Sequence, residues 1–261
     1  MRKPRLNTLR LQHRADEPVA TLLLNRPARL NALSRELLSE IPTACRWLDE
    51  TPAIKAVVVR GAGRAFSAGF DLNDFSAMDD SLSATESADL GRVATNALTD
   101  VRPLTVGAVH GHCVGGGLLI AMACDMRLAS DDVRFSIPEV DLGIPLAWGG
   151  IPRMVREFGP AITKELVLTC RPFGADEALS LRFLNRVVPG DELVAAAEAL
   201  AAELASKPTF SLHATKTHVN AIMDEIAGVG RNTSDAHTLN AALHDPESRA
   251  ASQAYMNSRK K

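Results

Sequence analysis

The sequence predicts an α/β protein, and three observations carry that expectation. Short apolar runs alternate with amphipathic stretches through the first two-thirds of the 261 residues. One of those runs, AVVV at 56–59, is apolar at every position, the pattern of a strand covered on both faces. The last third carries helical patterns with little strand signal, so layers of strand and helix are expected to give way to helices alone.

Composition bounds the function. With 46% hydrophobic and 23% charged residues the chain has a globular make-up. A formal net charge of −2 gives no basic surface for nucleic acid, and no apolar stretch is long enough to span a bilayer. The basic N-terminus lacks the apolar core of a secretory signal. Cys45, Cys113, Cys124 and Cys170 are widely spaced in apolar contexts and form no CxxC pair, so buried reduced thiols, no metal site and a cytoplasmic location are expected.

In chain order, 6–12 and 19–24 read as strands around a turn at 14–18. Ser34 is placed to cap a helix whose apolar positions Leu37, Leu38, Ile41, Cys45 and Leu48 have helical spacing. Pro42 is expected to bend or break it. A strand at 53–60 leads into the small-residue turn Ser67-Ala68-Gly69. Residues 76–99 begin acidic and turn helical, either a flap or a solvated surface helix. The segment 106–125, VGAVHGHCVGGGLLIAMACD, reads as a strand, a glycine turn and a buried helix. Short strands at 126–129, 133–136 and 185–188 are expected, then helices at 151–158, 161–169, 175–181 and 191–205. Beyond Thr209 the helices should break near 228–230 and at Pro246.

Two glycine motifs fail on spacing. Gly111 is followed by His112 and Cys113, which spoils a dinucleotide fingerprint; in GAGRAF the third glycine is replaced by Phe66. No Lys follows Gly115, Gly116 and Gly117, so they form no phosphate loop. The triplet is then either a tight packing turn or a turn that opens helix amides to a ligand oxygen.

Taken together, NRPARLNAL (25–33), GAGRAFSAGFDL (61–72), VHGHCVGGGLLIAMACDMRLAS (109–130), FSIPEVDLGIP (135–145) and LTCRPFGADEALSLRFLNRVV (168–188) resemble the crotonase superfamily, the enoyl-CoA hydratase/isomerase family, in order and spacing. The resemblance implies a crotonase-like spiral of β-β-α turns over 1–200, binding acyl-CoA. A C-terminal helical region, 201–261, would serve oligomerisation and active-site closure. It implies a coenzyme A thioester as substrate, no permanently bound cofactor, and a homo-oligomer, trimer or dimer of trimers. By resemblance, the backbone N–H groups of Phe70 and Gly116 form an oxyanion hole. Arg26, Ala28, Leu30, Ala68, Asp71, Leu72 and Asn73 lie along the coenzyme A moiety, and Leu119 and Trp148 with Phe70 line the acyl group.

Hydratases of the family place one glutamate two residues past the glycine triplet and a second after a proline. Here those positions hold Leu119 and Glu139. Adding water takes an acid and a base, whereas moving a double bond takes one carboxylate. The expectation is therefore an isomerase with Glu139 as sole acid/base. A hydratase, another crotonase activity and a non-catalytic acyl-CoA-binding protein are the alternatives, and Glu139 could instead be a salt-bridged turn carboxylate. Asp141, Asp71, Asp74 and His112 are the other polar groups that could supply a second acid.

Overall fold

The computed structural model describes residues 2–76, 82–229 and 235–258. Its centre is a six-stranded sheet of order β1-β2-β3-β4-β6-β9. These strands are β1 (Leu9–Gln12), β2 (Val19–Leu24), β3 (Ala56–Gly61), β4 (Leu104–Val109), β6 (Met126–Ser130) and β9 (Arg186–Val188). Only the β1–β2 hairpin is antiparallel. A second sheet joins β5 (His112–Val114), β7 (Arg134–Ser136) and β8 (Phe173–Gly174).

The AVVV run explains why the main sheet is covered on both sides. Alternate side chains of a strand point to opposite faces. Val57 and Val59 enter one core, with Leu22 and Leu24 of β2 and the helix α1 (Arg35–Asp49). Ala56 and Val58 enter another, with Leu193, Ala197 and Ala201 of α7 (Leu193–Ala205). The boundary expected at residue 200 lies inside α7.

Ser34 caps α1 as its position suggests, its Oγ accepting from the Leu37 amide at 3.2 Å. Pro42 does not break this helix, which runs unbroken for 15 residues. The proline costs one backbone hydrogen bond, but Leu37, Leu38, Ile41, Ala44, Trp47 and Leu48 are all buried, and that burial outweighs the loss.

Two helices expected at 151–158 and 161–169 form one element, α5 (Gly150–Thr169), bent at Gly159, where φ is 74°. The short helix α2 (Leu72–Ser76) is followed by α3 (Leu82–Asp100), the helix expected in the least apolar stretch. The acidic start of that stretch, at 78–80, lies outside the described residues. After α6 (Ala175–Ser180) and α7 come α8 (Thr209–Ala227), α9 (Asp235–His244) and α10 (Pro246–Ser258). The breaks fall where glycine and proline place them. α9 packs on α3, and α8 leaves Phe210, Val219, Ile222 and Ile226 exposed. Among the described residues no helix is long and apolar enough to cross a membrane.

Candidate active site

The glycine triplet follows β5, not β4. β4 ends at Val109, the chain turns at Gly111, and a three-residue strand intervenes before α4 (Gly116–Met122). This extra strand brings two turns together. Ser67 pairs with Cys113, its amide donating to the His112 carbonyl at 3.0 Å while the Val114 amide donates back to the Ser67 carbonyl at 3.0 Å. The turn at 67–70 is thereby held alongside 113–116. Contact is close enough that a Cβ on Gly69 would meet the Val114 carbonyl oxygen at 2.8 Å and lie 3.8 Å from the Gly116 nitrogen.

The pairing holds the turn that carries the Phe70 amide beside the start of α4. The Leu33 amide donates to the Gly69 carbonyl and the Asp71 amide to the Leu33 carbonyl, so this bridge passes over the Phe70 amide. The Gly115 amide is taken by the Ser136 carbonyl at 2.9 Å. Gly116 opens α4, and an amide at the start of a helix has no intrahelical acceptor.

Each glycine of the triplet makes room for a different neighbour. A Cβ on Gly115 would overlap the Glu139 carboxylate, one on Gly116 the Trp148 indole, and one on Gly117 the Ser67 side chain. This crowding is compatible with both readings of the triplet. The triplet packs tightly on its neighbours without closing off the first amide of α4, and among the described residues Glu139 is the one carboxylate lining the pocket beside it.

That pocket is lined by Phe70, Leu119, Ile144, Leu146, Trp148 and Leu239 around Glu139. Glu139 as a residue is half-buried, but its Oε2 is sealed from solvent and has no hydrogen-bond partner. Burial raises the carboxyl from 4.5 to about 7, against a smaller lowering by its own backbone amide. The salt-bridged reading of Glu139 is thereby excluded, since the ion pairs among the described residues do not include it. Leu119, two residues past the triplet, is 1% exposed and presents hydrocarbon to the pocket.

The other polar groups lie elsewhere. Asp141 and His112 are exposed and outside the pocket lining. Asp74 accepts from the Arg35 amide at 2.7 Å. Asp71 is buried and holds Arg26, Nη1 to Oδ2 at 2.8 Å, while its Oδ1 accepts from the Asn73 amide at 3.1 Å. Arg26 also donates to the Ala32 carbonyl. Together with Asn31, which donates to the Ala62 and Ala65 carbonyls at 2.8 Å each, the pair ties the 26–32 loop to the 62–71 turn. Ala68 donates its amide to the Leu30 carbonyl at 2.9 Å. Ala28, Leu72 and Asn73 are exposed beside this seam, and Leu30 and Ala68 half-buried in it. Arg26→Met should therefore loosen the turn that carries Phe70. We expect a loss of about 1.5–3 kcal/mol, the worth of a hydrogen bond to a charged group, read by urea denaturation. An unchanged midpoint would mean that the pair contributes nothing.

Sequence reasoning did not find Leu239, Ile144, Leu146 or Gly91. The first comes from α9, 122 residues past Gly117, and no local pattern marks it as a pocket residue.

Comparisons with known proteins agree with this geometry. The family model described as enoyl-CoA hydratase/isomerase matches residues 14–261. The crotonyl-CoA hydratase of Syntrophomonas wolfei is 33% identical over 209 residues, 78% of this chain and 79% of that protein. The peroxisomal Delta(3,5)-Delta(2,4)-dienoyl-CoA isomerase of Arabidopsis thaliana is 36% identical over 190 residues, 68% of each chain. A crystal structure of an enoyl-CoA hydratase/isomerase from Mycobacterium paratuberculosis superposes with a TM-score of 0.87 at 26% identity, covering 95% of this chain and 99% of that one. Matched over nearly its whole length, the chain belongs to the enoyl-CoA hydratase/isomerase family.

Proposed function

We propose that the protein moves a double bond from delta-3 to delta-2 in an enoyl-CoA thioester, with Glu139 as the single acid/base. The observation that carries this reading is one buried, unpartnered carboxylate in a pocket whose second acid position holds Leu119. The carboxylate takes a proton from C2 of a 3-enoyl thioester. The electron pair delocalises into the thioester carbonyl, giving a dienolate. The Phe70 and Gly116 amides hold the developing oxyanion, each such donor contributing roughly 3 kcal/mol by general precedent. The Glu139 acid then returns the same proton at C4, and the electrons settle as a 2-enoyl thioester. No second carboxyl is required, because the acid formed in the first half is the acid consumed in the second.

Hydration is the competing reading, and the name of the Syntrophomonas relative favours it. It needs a group that orients water and takes its proton while another protonates C2. Leu119 can do neither, and the exposed Asp141 and His112 are outside the pocket lining. Absorbance and NMR on purified protein with 3-butenoyl-CoA and 2-butenoyl-CoA separate the two. Conversion of the 3-enoyl ester with about 100-fold less hydration of the 2-enoyl ester is expected, the worth of a missing general acid/base. Fast hydration without isomerisation would falsify the proposal.

A further inference from the structure

Trp148 lines the pocket, and the chain makes unusual provision for it. A Cβ at Gly91 on α3 would lie within 2.0 Å of the fused bond of the indole, and one at Gly116 within 2.4 Å of its six-membered edge. The ring is therefore slotted between two glycines on two different helices. Its outer side meets Phe70 edge-on, centroids 5.7 Å apart. Trp148 has a φ of 59°, a left-handed backbone that a bulky residue adopts only when its surroundings impose it. The next residue is held in turn: the Gly149 amide donates to Asp235 at 2.9 Å. The indole is a fixed wall.

With the wall in place the cavity beside Glu139 is about 50 Å³. A water takes about 30 Å³ of liquid volume, so this is a small space that a long acyl tail would overfill. The lining around it is apolar apart from Glu139, so a hydrocarbon tail is the chemistry it accepts.

We infer that Trp148 is the chain-length stop of this pocket and restricts the enzyme to short, unbranched acyl thioesters. The inference rests on the acyl-CoA reading above and names its substrate class. Trp148→Ala removes the wall; Trp148→Phe leaves a smaller ring between the same glycines and is the milder variant for folding. Calorimetric titration with butyryl-, hexanoyl-, octanoyl- and decanoyl-CoA reads ground-state binding and does not depend on turnover. The natural protein should bind octanoyl-CoA at least about tenfold more weakly than butyryl-CoA. Trp148→Ala should tighten octanoyl-CoA by about tenfold or more, with butyryl-CoA moving less than about threefold, and Trp148→Phe should shift hexanoyl-CoA in the same sense. Equal affinity of the natural protein for four and eight carbons overturns the stop. So does a Trp148→Ala or Trp148→Phe protein that weakens every ester alike. Failure of all four esters to bind, irrespective of length, removes the acyl-CoA reading itself and this inference with it.

Discussion

Glu139→Gln should lower the rate of double-bond migration by about 10²–10⁴-fold, the usual worth of a general acid/base, and leave thioester binding nearly intact. Gln keeps the shape that fits against Gly115 but cannot accept and return a proton. The pH dependence makes the prediction sharper. The carboxyl sits at about 7 because burial disfavours its charged form. Turnover of a 3-enoyl ester needs the carboxylate, so kcat/KM should climb with pH and level off above about 7. A profile already flat at pH 5 would show that the carboxyl is ionised there, contrary to its burial.

The same shift has a stability consequence of opposite sign to that of a salt-bridged acid. Between 4.5 and about 7 the folded protein holds a proton that the unfolded chain has released. Folding stability therefore falls as pH rises through that window, and the whole cost is present above it. A shift from 4.5 to about 7, at about 1.36 kcal/mol per unit, amounts to about 3 kcal/mol. Glu139→Gln removes the charge, so it should melt above the natural protein at pH 9, by roughly 5–10 °C at most, and close to it at pH 5. The buried amide of Gln lacks an acceptor, which trims the gain. A variant that is less active and more stable only at alkaline pH separates a catalytic carboxylate from a structural one. Equal melting shifts at both pH values would show that the carboxylate is not under this strain.

Much of this site is legible before any coordinates, because its parts are local. A glycine triplet before an apolar helix, and a glutamate behind a proline, are visible as strings. Burial on both faces of the main sheet follows from AVVV alone. What resists reading has a physical reason in each case. β5 is three residues long, with His112 exposed and Val114 half-buried, too short for any alternation to register. Pro42 breaks a propensity rule that the buried face of α1 overrides. Gly91 looks like a weak point in a surface helix until the Trp148 ring, 57 positions further on, is found where its side chain would be. Such complementarity is held between elements, and a single sequence records only one side of it at a time.

The long-range fastening of α8 is of the same kind and gives the largest expected stability loss. Lys216 is, with Arg127 and Arg153, a buried cation among the described residues, its side chain 5% exposed. Its Nζ donates to Asp125 Oδ2 at 2.8 Å and to the Pro103 carbonyl at 3.1 Å, pinning α8 across the ends of β4 and β6. Asp125 is further engaged with Thr105, whose amide and hydroxyl donate to Oδ2 at 2.7 and 2.9 Å. Lys216→Met keeps the bulk of the stem but leaves a carboxylate, 15% exposed, without its cation. We expect a loss of about 3–5 kcal/mol by chemical denaturation, because most of the cost of breaking a buried pair is the charge left behind. That mechanism makes a second statement. Adding Asp125→Asn to Lys216→Met removes the stranded charge and keeps an oxygen to accept from the Thr105 amide. The double variant should regain about 2 kcal/mol or more over the single one. Were the two variants equally unstable, the loss would belong to the lysine stem's packing and not to the orphaned carboxylate.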